Sequence, residues 1–66
     1  MEMISVRSSA LRAIGYDPIT HRMKIRFEQG HTYDFCAVPK HIFDGLLNAR
    51  SKGTYYNKYI RDRYQC

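Results

Sequence analysis

The most regular alternation of apolar and polar residues in this chain runs from Arg22 to Glu28. Apolar side chains occupy every second position: Met23, Ile25 and Phe27. The positions between them are charged: Arg22, Lys24, Arg26 and Glu28. Because successive side chains of a strand point to opposite faces, this pattern predicts a β-strand with one buried and one solvent-exposed face.

A further predicted strand, from His31 to Val38, forms a hairpin with this one. A two-residue loop would set Ile25 opposite Asp34 and mix core with solvent positions, whereas the three-residue loop 28–30 keeps each face uniform. The longer loop gives three cross-strand pairs: Ile25 with Tyr33, Met23 with Phe35, and Lys24 with Asp34. It requires a left-handed backbone conformation at Gly30, which glycine adopts without strain.

An earlier strand is predicted from Ser8 to Tyr16, and it ends at the turn-forming pair Asp17-Pro18. Leu11 and Ile14 are three residues apart, and a regular strand does not place both on one face. A β-bulge at residues 12–13 adds one residue and returns both side chains to the core.

Two helices follow the strands. Pro39 occupies the first position of one helix, and its apolar residues fall on a single stripe: Ile42, Phe43, Leu46, Leu47 and Ala49. Residues 51–53 break this helix, and Thr54 caps the next one. The apolar side of the last helix is rich in tyrosine: Tyr55, Tyr56, Tyr59, Ile60 and Tyr64. We expect Tyr56 and Ile60 to be buried against Phe43 and Leu47.

These elements predict an α+β fold in one domain, residues 1–66. Its three-stranded antiparallel β-meander is followed by two C-terminal helices packed on one face. A chain of 66 residues buries only a small core, and the nine aromatic residues compensate by burying a large apolar area each. The same small size disfavours an enzyme with a deep cleft between subdomains.

The formal net charge of +5 favours an encounter with a polyanion such as a nucleic acid. The alternative explanation is ordinary solubility, since small domains often carry a few net charges. The sequence has no apolar run long enough for a signal peptide or a membrane span, so we expect a cytoplasmic protein. Two free thiols, Cys36 and Cys66, fit that reducing compartment, and a disulfide between them is the alternative.

Several short motifs, in this order along the chain, resemble the KTSC domain. They are Ser8-Ser9, residues 14–17 (Ile-Gly-Tyr-Asp), Phe27 with Gly30, Tyr33-Asp34-Phe35, Val38-Pro39, residues 49–53 (Ala-Arg-Ser-Lys-Gly), and the closing Asn57, Ile60-Arg61 and Tyr64. That family takes its name from a module at the C-terminus of some lysyl-tRNA synthetases, and it also occurs as short stand-alone proteins of bacteria and their phages. The resemblance implies an RNA-associated role and brings no catalytic residues. The family's central Tyr-x-Tyr is Tyr33-Asp34-Phe35 here, so this chain lacks the second hydroxyl.

Two groups of cations are candidate nucleic-acid contacts. Arg22, Lys24 and Arg26 share the outer face of one predicted strand, at intervals of about 6.6–6.8 Å, which resemble the phosphate spacing of a single nucleic-acid strand. Lys52, Lys58 and Arg61 surround the turn that leads into the last helix, whose N-terminal N–H groups can attract an anion. The alternative for both groups is a solvated charged surface.

The sequence does not favour metal binding or nucleophilic catalysis. His21, His31, His41 and Cys36 lack the paired spacing of a zinc site, and Ser8-Ser9 has no accompanying nucleophile elbow. We therefore predict no metal, no cofactor and no catalytic residue. The sequence favours a monomeric accessory module that binds RNA, and the alternative is a protein-interaction module that uses the exposed sheet face or a sheet edge.

Overall fold

The computed structural model describes residues 1–66 and shows one antiparallel sheet with a helical layer. The strands lie in the order β1-β2-β3-β4, and their bounds are Met3–Ser5, Leu11–Asp17, Arg22–Phe27 and Thr32–Phe35. Two α-helices and a π-helical segment follow: α1 (Lys40–Asn48), α2 (Lys52–Tyr55) and the π segment Tyr56–Ile60. None of these helices has the length and apolar character needed to cross a membrane. The α+β class is thereby confirmed.

The predicted hairpin register is confirmed. Met23 lies opposite Phe35, Ile25 opposite Tyr33, and Lys24 opposite Asp34. Gly30 has φ +101°, as the three-residue loop requires. The predicted bulge is confirmed as well, because the β2–β3 register shifts between Leu11 and Ala13 and leaves Arg12 as the extra residue.

The sheet has a fourth strand, so the prediction of three strands was incomplete. Residues 3–5 form β1, which pairs with β2 through Met3 opposite Gly15 and Ser5 opposite Ala13. Three residues are too few to show an alternating pattern. A β-carbon on Gly15 would lie 2.8 Å from the Met3 sulfur and 2.9 Å from the carbonyl oxygen of Glu2. The absence of a side chain at Gly15 therefore lets β1 approach β2 closely.

Two predicted strand boundaries were wrong. β2 begins at Leu11 rather than Ser8, because the Ser8 hydroxyl accepts hydrogen bonds from the N–H groups of Ala10 and Leu11 and closes a local turn. β4 ends at Phe35 rather than Val38, because Ala37 adopts a left-handed backbone with φ 55°. The first residues of the predicted strand 8–16 and the last residues of the predicted strand 31–38 therefore lie in turns.

The core lies between the inner face of the sheet and the helical layer. It contains Leu11, Ile14, Met23, Ile25, Phe35, Val38, Phe43, Leu46 and Ile60. Tyr16 extends this core, since its ring stacks on Phe43 at 4.8 Å and its hydroxyl donates to the carbonyl of Val38. Burial raises the pKa of the Tyr16 phenol above its ordinary value.

The two neighbouring tyrosines Tyr55 and Tyr56 contact different layers. Tyr56 is half-buried, and its ring packs edge-on against Phe27 and Phe35 of the sheet, with ring centroids 5.1 and 6.1 Å apart. Tyr55 reaches α1 instead and donates its hydroxyl hydrogen to the carbonyl of Ile42. Ile60 is fully buried as predicted.

Cys36 and Cys66 form a disulfide, so the expectation of two free thiols was wrong for this structure. The physical reason is the path of the C-terminal tail, residues 61–66, which turns back along the end of β4. The N–H of Cys36 donates to the carbonyl of Tyr64 at 2.9 Å, and this contact brings the two cysteines to a Cα separation of 4.8 Å. Asp62, with φ 61°, provides the left-handed turn after the π segment.

Candidate nucleic-acid interface

Arg22, Lys24 and Arg26 form a row along β3 on the outer face of the sheet, which the helices leave uncovered. All three are exposed, while the alternate residues Met23 and Ile25 are fully buried. Strand alternation therefore places the predicted cations as expected. We call these three residues the β3 row.

On the side of β2, the β3 row borders two small residues that are buried. Lys24 lies opposite Gly15 and Arg26 lies opposite Ala13, so neither cation has a large neighbour on that strand. The Met3 and Met1 side chains lie over Gly15, since a β-carbon there would be 2.8 and 3.1 Å from them. N-terminal side chains therefore cover part of the outer face beside the β3 row.

Acidic and hydroxyl groups border the β3 row as well. The Lys24 ammonium lies 3.9 Å from the Asp34 carboxylate, and Arg26 Nε donates to the Thr32 hydroxyl at 3.3 Å. Both partners of the ion pair are about half exposed, which makes it a weak contact. These side chains therefore remain free to exchange partners.

Arg22 lies opposite Asp17 at the end of β2. The Asp17 carboxylate accepts a hydrogen bond from the N–H of Ile19 at 2.9 Å, and this bond lowers the pKa of that carboxyl. Asp17 consequently stays ionised at neutral pH. Two carboxylates, Asp17 and Asp34, thus offset part of the positive charge of the β3 row.

The second group of predicted cations lies in the helical layer, on the opposite side of the sheet. Lys58 and Arg61 are exposed, as predicted. The Lys58 ammonium lies 5.7 Å from the centre of the Tyr59 ring, and Arg61 Nε lies 3.9 Å from the Asp62 carboxylate. The structure therefore does not bring the six predicted cations together on one surface.

Lys52 has a structural contact. It is half-buried, and its ammonium donates to the carbonyl of Ala49 at 3.0 Å, where α1 ends. The capping residue of α2 is Ser51 rather than the predicted Thr54, since the Ser51 hydroxyl accepts the Thr54 N–H at 3.3 Å. The Ser51 hydroxyl thus already occupies one of the N-terminal N–H groups that an anion would need.

A cavity that the sequence did not indicate lies beside β4, with a volume of about 360 Å³. Its walls come from β4, the π segment and the tail: Tyr33, Asp34, Phe35, Tyr56, Asp62, Gln65 and Cys66. Tyr33 lies opposite the buried Ile25 but is itself 52% exposed, because β4 is an edge strand. The sequence carries no signal for this cavity, because the cavity depends on the left-handed turn at Asp62, which no residue pattern predicts.

The side chains that could ligate a metal are dispersed over the fold. No three or more histidine, cysteine, aspartate or glutamate side chains lie close enough together to hold a metal ion. Every buried side-chain nitrogen or oxygen has a hydrogen-bond partner.

Residues 7–64 match the model of the KTSC domain family. The chain belongs to the KTSC domain family. Its fold is similar to the crystal structure of a KTSC domain protein from Yersinia pestis, with a TM-score of 0.91 and 35% sequence identity. That alignment covers 98% of this chain and 92% of the Yersinia protein. The four-stranded sheet and its helical layer are thus shared with another KTSC domain.

Similar sequences occur both as small KTSC proteins and within a larger enzyme. A protein of Tsukamurella paurometabola is 41% identical over 63 residues, which cover 96% of this chain and 94% of that protein. A lysine–tRNA ligase of Nostoc sp. is 30% identical over 63 residues, which cover 96% of this chain but only 11% of the ligase. The KTSC domain therefore exists as nearly a whole protein and as a small part of a ligase.

Proposed function

We propose that this KTSC domain is a non-catalytic accessory module that binds RNA through the β3 row. The observation that carries the proposal is the position of Arg22, Lys24 and Arg26, which line up on the uncovered face of the sheet. Three exposed cations at alternate positions of one strand suit successive phosphates of an extended RNA strand. The formal net charge of +5 adds a long-range attraction to the same ligand.

The family relationship supports the same ligand class. A similar domain forms part of ligases whose name includes tRNA. A basic accessory module on such an enzyme would raise the local concentration of its nucleic-acid substrate. For a stand-alone chain, the corresponding role is to hold RNA without acting on it.

We expect weak sequence selectivity, because the outer face offers no base-stacking platform. RNA-binding sheets usually stack bases on exposed aromatic rings. The neighbours of the β3 row on β2 are Ala13 and Gly15, and its neighbours on β4 are Thr32 and Asp34. Phosphate contacts would therefore dominate, and with about three of them log affinity should fall with log salt at a slope near −2.

The test is fluorescence anisotropy with a labelled single-stranded oligouridine, measured over a range of salt concentrations. The variant Arg22→Glu with Arg26→Glu reverses the β3 row. The matched control, Lys58→Glu with Arg61→Glu, changes the two exposed cations of the helical layer. Each substitution changes the charge by −2, so both double variants take the formal net charge from +5 to +1.

Loss of binding in the β3 variant alone supports the proposal. Equal losses in both variants would reduce the interaction to generic attraction between a basic protein and a polyanion. Binding that fails only in the Lys58 and Arg61 variant would move the site to the helical layer. If oligouridine does not bind even at low salt, the alternative of a protein-interaction module is favoured.

A further inference from the structure

β4 is one of the two edge strands of the sheet, so one side of its backbone faces away from β3. The N–H of Phe27 donates to the carbonyl of His31, which fixes the alternation of the β3–β4 ladder. In an antiparallel pair, hydrogen-bonded positions recur at every second residue. Tyr33 and Phe35 therefore bond to β3, while the N–H and C=O groups of Thr32 and Asp34 point outward.

The tail already occupies one outward position of this edge. Cys36 is the next outward residue after Asp34, and its N–H is bound to the carbonyl of Tyr64. The disulfide to Cys66 holds the tail there. No backbone hydrogen bond from the tail reaches Thr32 or Asp34. The tail thus pairs with the β4 edge at Cys36, whereas the outward backbone groups of Thr32 and Asp34 have no backbone partner.

The cavity of about 360 Å³ runs beside this open part of the edge. One wall is the β4 segment 33–35, and the opposite wall is Tyr56 with the tail residues Asp62, Gln65 and Cys66. A segment that hydrogen-bonds to Asp34 would lie between these walls. Its side chains on the inner face would meet the rings of Tyr33, Phe35 and Tyr56.

The charge of the cavity is opposite to that of the protein. Its lining contains two acidic residues, Asp34 and Asp62, and no lysine or arginine, although the chain carries a net charge of +5. Each carboxylate has its nearest cation at 3.9 Å, in an exposed and weak pair. Carboxylates together with aromatic rings favour a cationic side chain, which can pair with the former and lie over the latter.

We propose that the β4 edge binds a short extended peptide of a partner protein as an added strand, with a lysine or arginine side chain in the cavity. The outward groups of Asp34 and Thr32 supply the main-chain hydrogen bonds, as in other cases of strand addition. Tyr33, Tyr56 and Asp62 select the basic side chain. This site lies at the sheet edge, next to the RNA surface proposed above, and Asp34 borders both.

The probe is a fluorescein-labelled seven-residue peptide in which valine and lysine alternate, and binding is measured by anisotropy at low salt. Its control has glutamate in place of lysine. Because the protein is itself basic, generic charge attraction favours the glutamate peptide, whereas the proposal requires the lysine peptide to bind more tightly. Equal binding of the two peptides, or preference for glutamate, would overturn the proposed choice of partner.

Two changes test strand addition itself. Asp34→Pro removes an outward N–H and leaves the ladder to β3 complete, so an edge strand tolerates it. A lysine peptide N-methylated at alternate residues removes the donors of the ligand and leaves the protein unchanged, which keeps the test valid if the proline variant unfolds. Each change should lower affinity about tenfold or more. Undiminished affinity for the N-methylated peptide would refute strand addition.

The partner is further tested by sedimentation of the free protein. A concentration-dependent dimer that Asp34→Pro abolishes would show that a second copy of this chain occupies the edge, and it would overturn the proposal of a separate partner. A monomer that binds the lysine peptide supports it. Failure of RNA binding leaves this outcome unaffected, because the peptide assay uses neither oligouridine nor the β3 variants.

Discussion

The phenol of Tyr55 occupies the space beside Gly45 of α1 where a β-carbon would otherwise lie. The Tyr55 hydroxyl donates to the carbonyl of Ile42, one turn earlier in the same helix, and the Tyr55 ring lies 4.7 Å from that of Tyr59. Gly45 thus provides the contact through which the two helices meet. Glycine at this position makes α1 less stable than alanine would, and the close packing of Tyr55 against Gly45 offsets that loss.

We predict that Gly45→Ala destabilises the protein by about 1–2 kcal/mol, although alanine is the better helix former. The added methyl group would collide with the Tyr55 phenol, and overpacking of this kind costs about 1–3 kcal/mol. The free energy of unfolding in urea measures the effect. In the double variant with Tyr55→Phe, the loss should be smaller than the sum of the two single losses, because the hydroxyl oxygen, the atom nearest the added methyl group, is gone. Additive losses would contradict a direct contact.

The disulfide makes a further prediction for stability. Cys36 and Cys66 are 30 residues apart, and closing a loop of that size stabilises a domain by about 2–4 kcal/mol. Cys66→Ser should therefore melt at a lower temperature than the oxidised protein, and a reducing agent should lower the melting temperature of the wild type only. Cys66 is exposed, so the substitution itself disturbs little packing. Two thiols that react with a labelling reagent in the untreated native protein would contradict the bond.

The hairpin could be predicted from the sequence because its alternation is strict. Met23 and Ile25 are apolar and their neighbours are charged, so a shift by one residue would expose the core and bury charge. The bulge at Arg12 was predictable for the same reason, since Leu11 and Ile14 both need the inner face. Patterns of this kind also placed the β3 row on the outer face.

The remaining features depend on contacts between distant parts of the chain. β1 pairs with β2 where Gly15 allows a close approach, and residues 3–5 carry no pattern of their own. The cavity exists because the tail folds back onto β4, which sequence spacing does not encode. Lys52 looked like a free cation, but its position at the end of α1 gives it the carbonyl of Ala49. Local residue type therefore predicted the elements better than it predicted the site.

The pH dependence of stability should show a loss on the alkaline side. Burial raises the pKa of the Tyr16, Tyr55 and Tyr56 phenols, so the folded state holds these protons more tightly than the unfolded state does. Their contribution to stability is complete below the unfolded tyrosine pKa of about 10 and is lost as the pH rises through the higher folded values. Urea unfolding between about pH 8 and 11 measures this loss. Tyr16→Phe removes one of the three phenols and should reduce the slope, and an unchanged slope would contradict the assignment.

The carboxylate of Asp34 borders both proposed sites, and Asp34→Asn should affect them in opposite directions. For RNA, the substitution frees Lys24 from its ion pair and removes a negative charge beside the β3 row, so oligouridine should bind several-fold more tightly. For the lysine peptide, the substitution removes the charge of one of the two acidic residues that line the cavity, so binding should weaken several-fold.

The matched control is Asp44→Asn, which frees Lys40 on α1 and changes the net charge equally. If Asp34→Asn and Asp44→Asn alter RNA affinity by the same factor, net charge rather than the β3 row governs RNA binding. If Asp34→Asn leaves the affinity for the lysine peptide unchanged, the carboxylate of Asp34 does not contribute to recognition at the β4 edge.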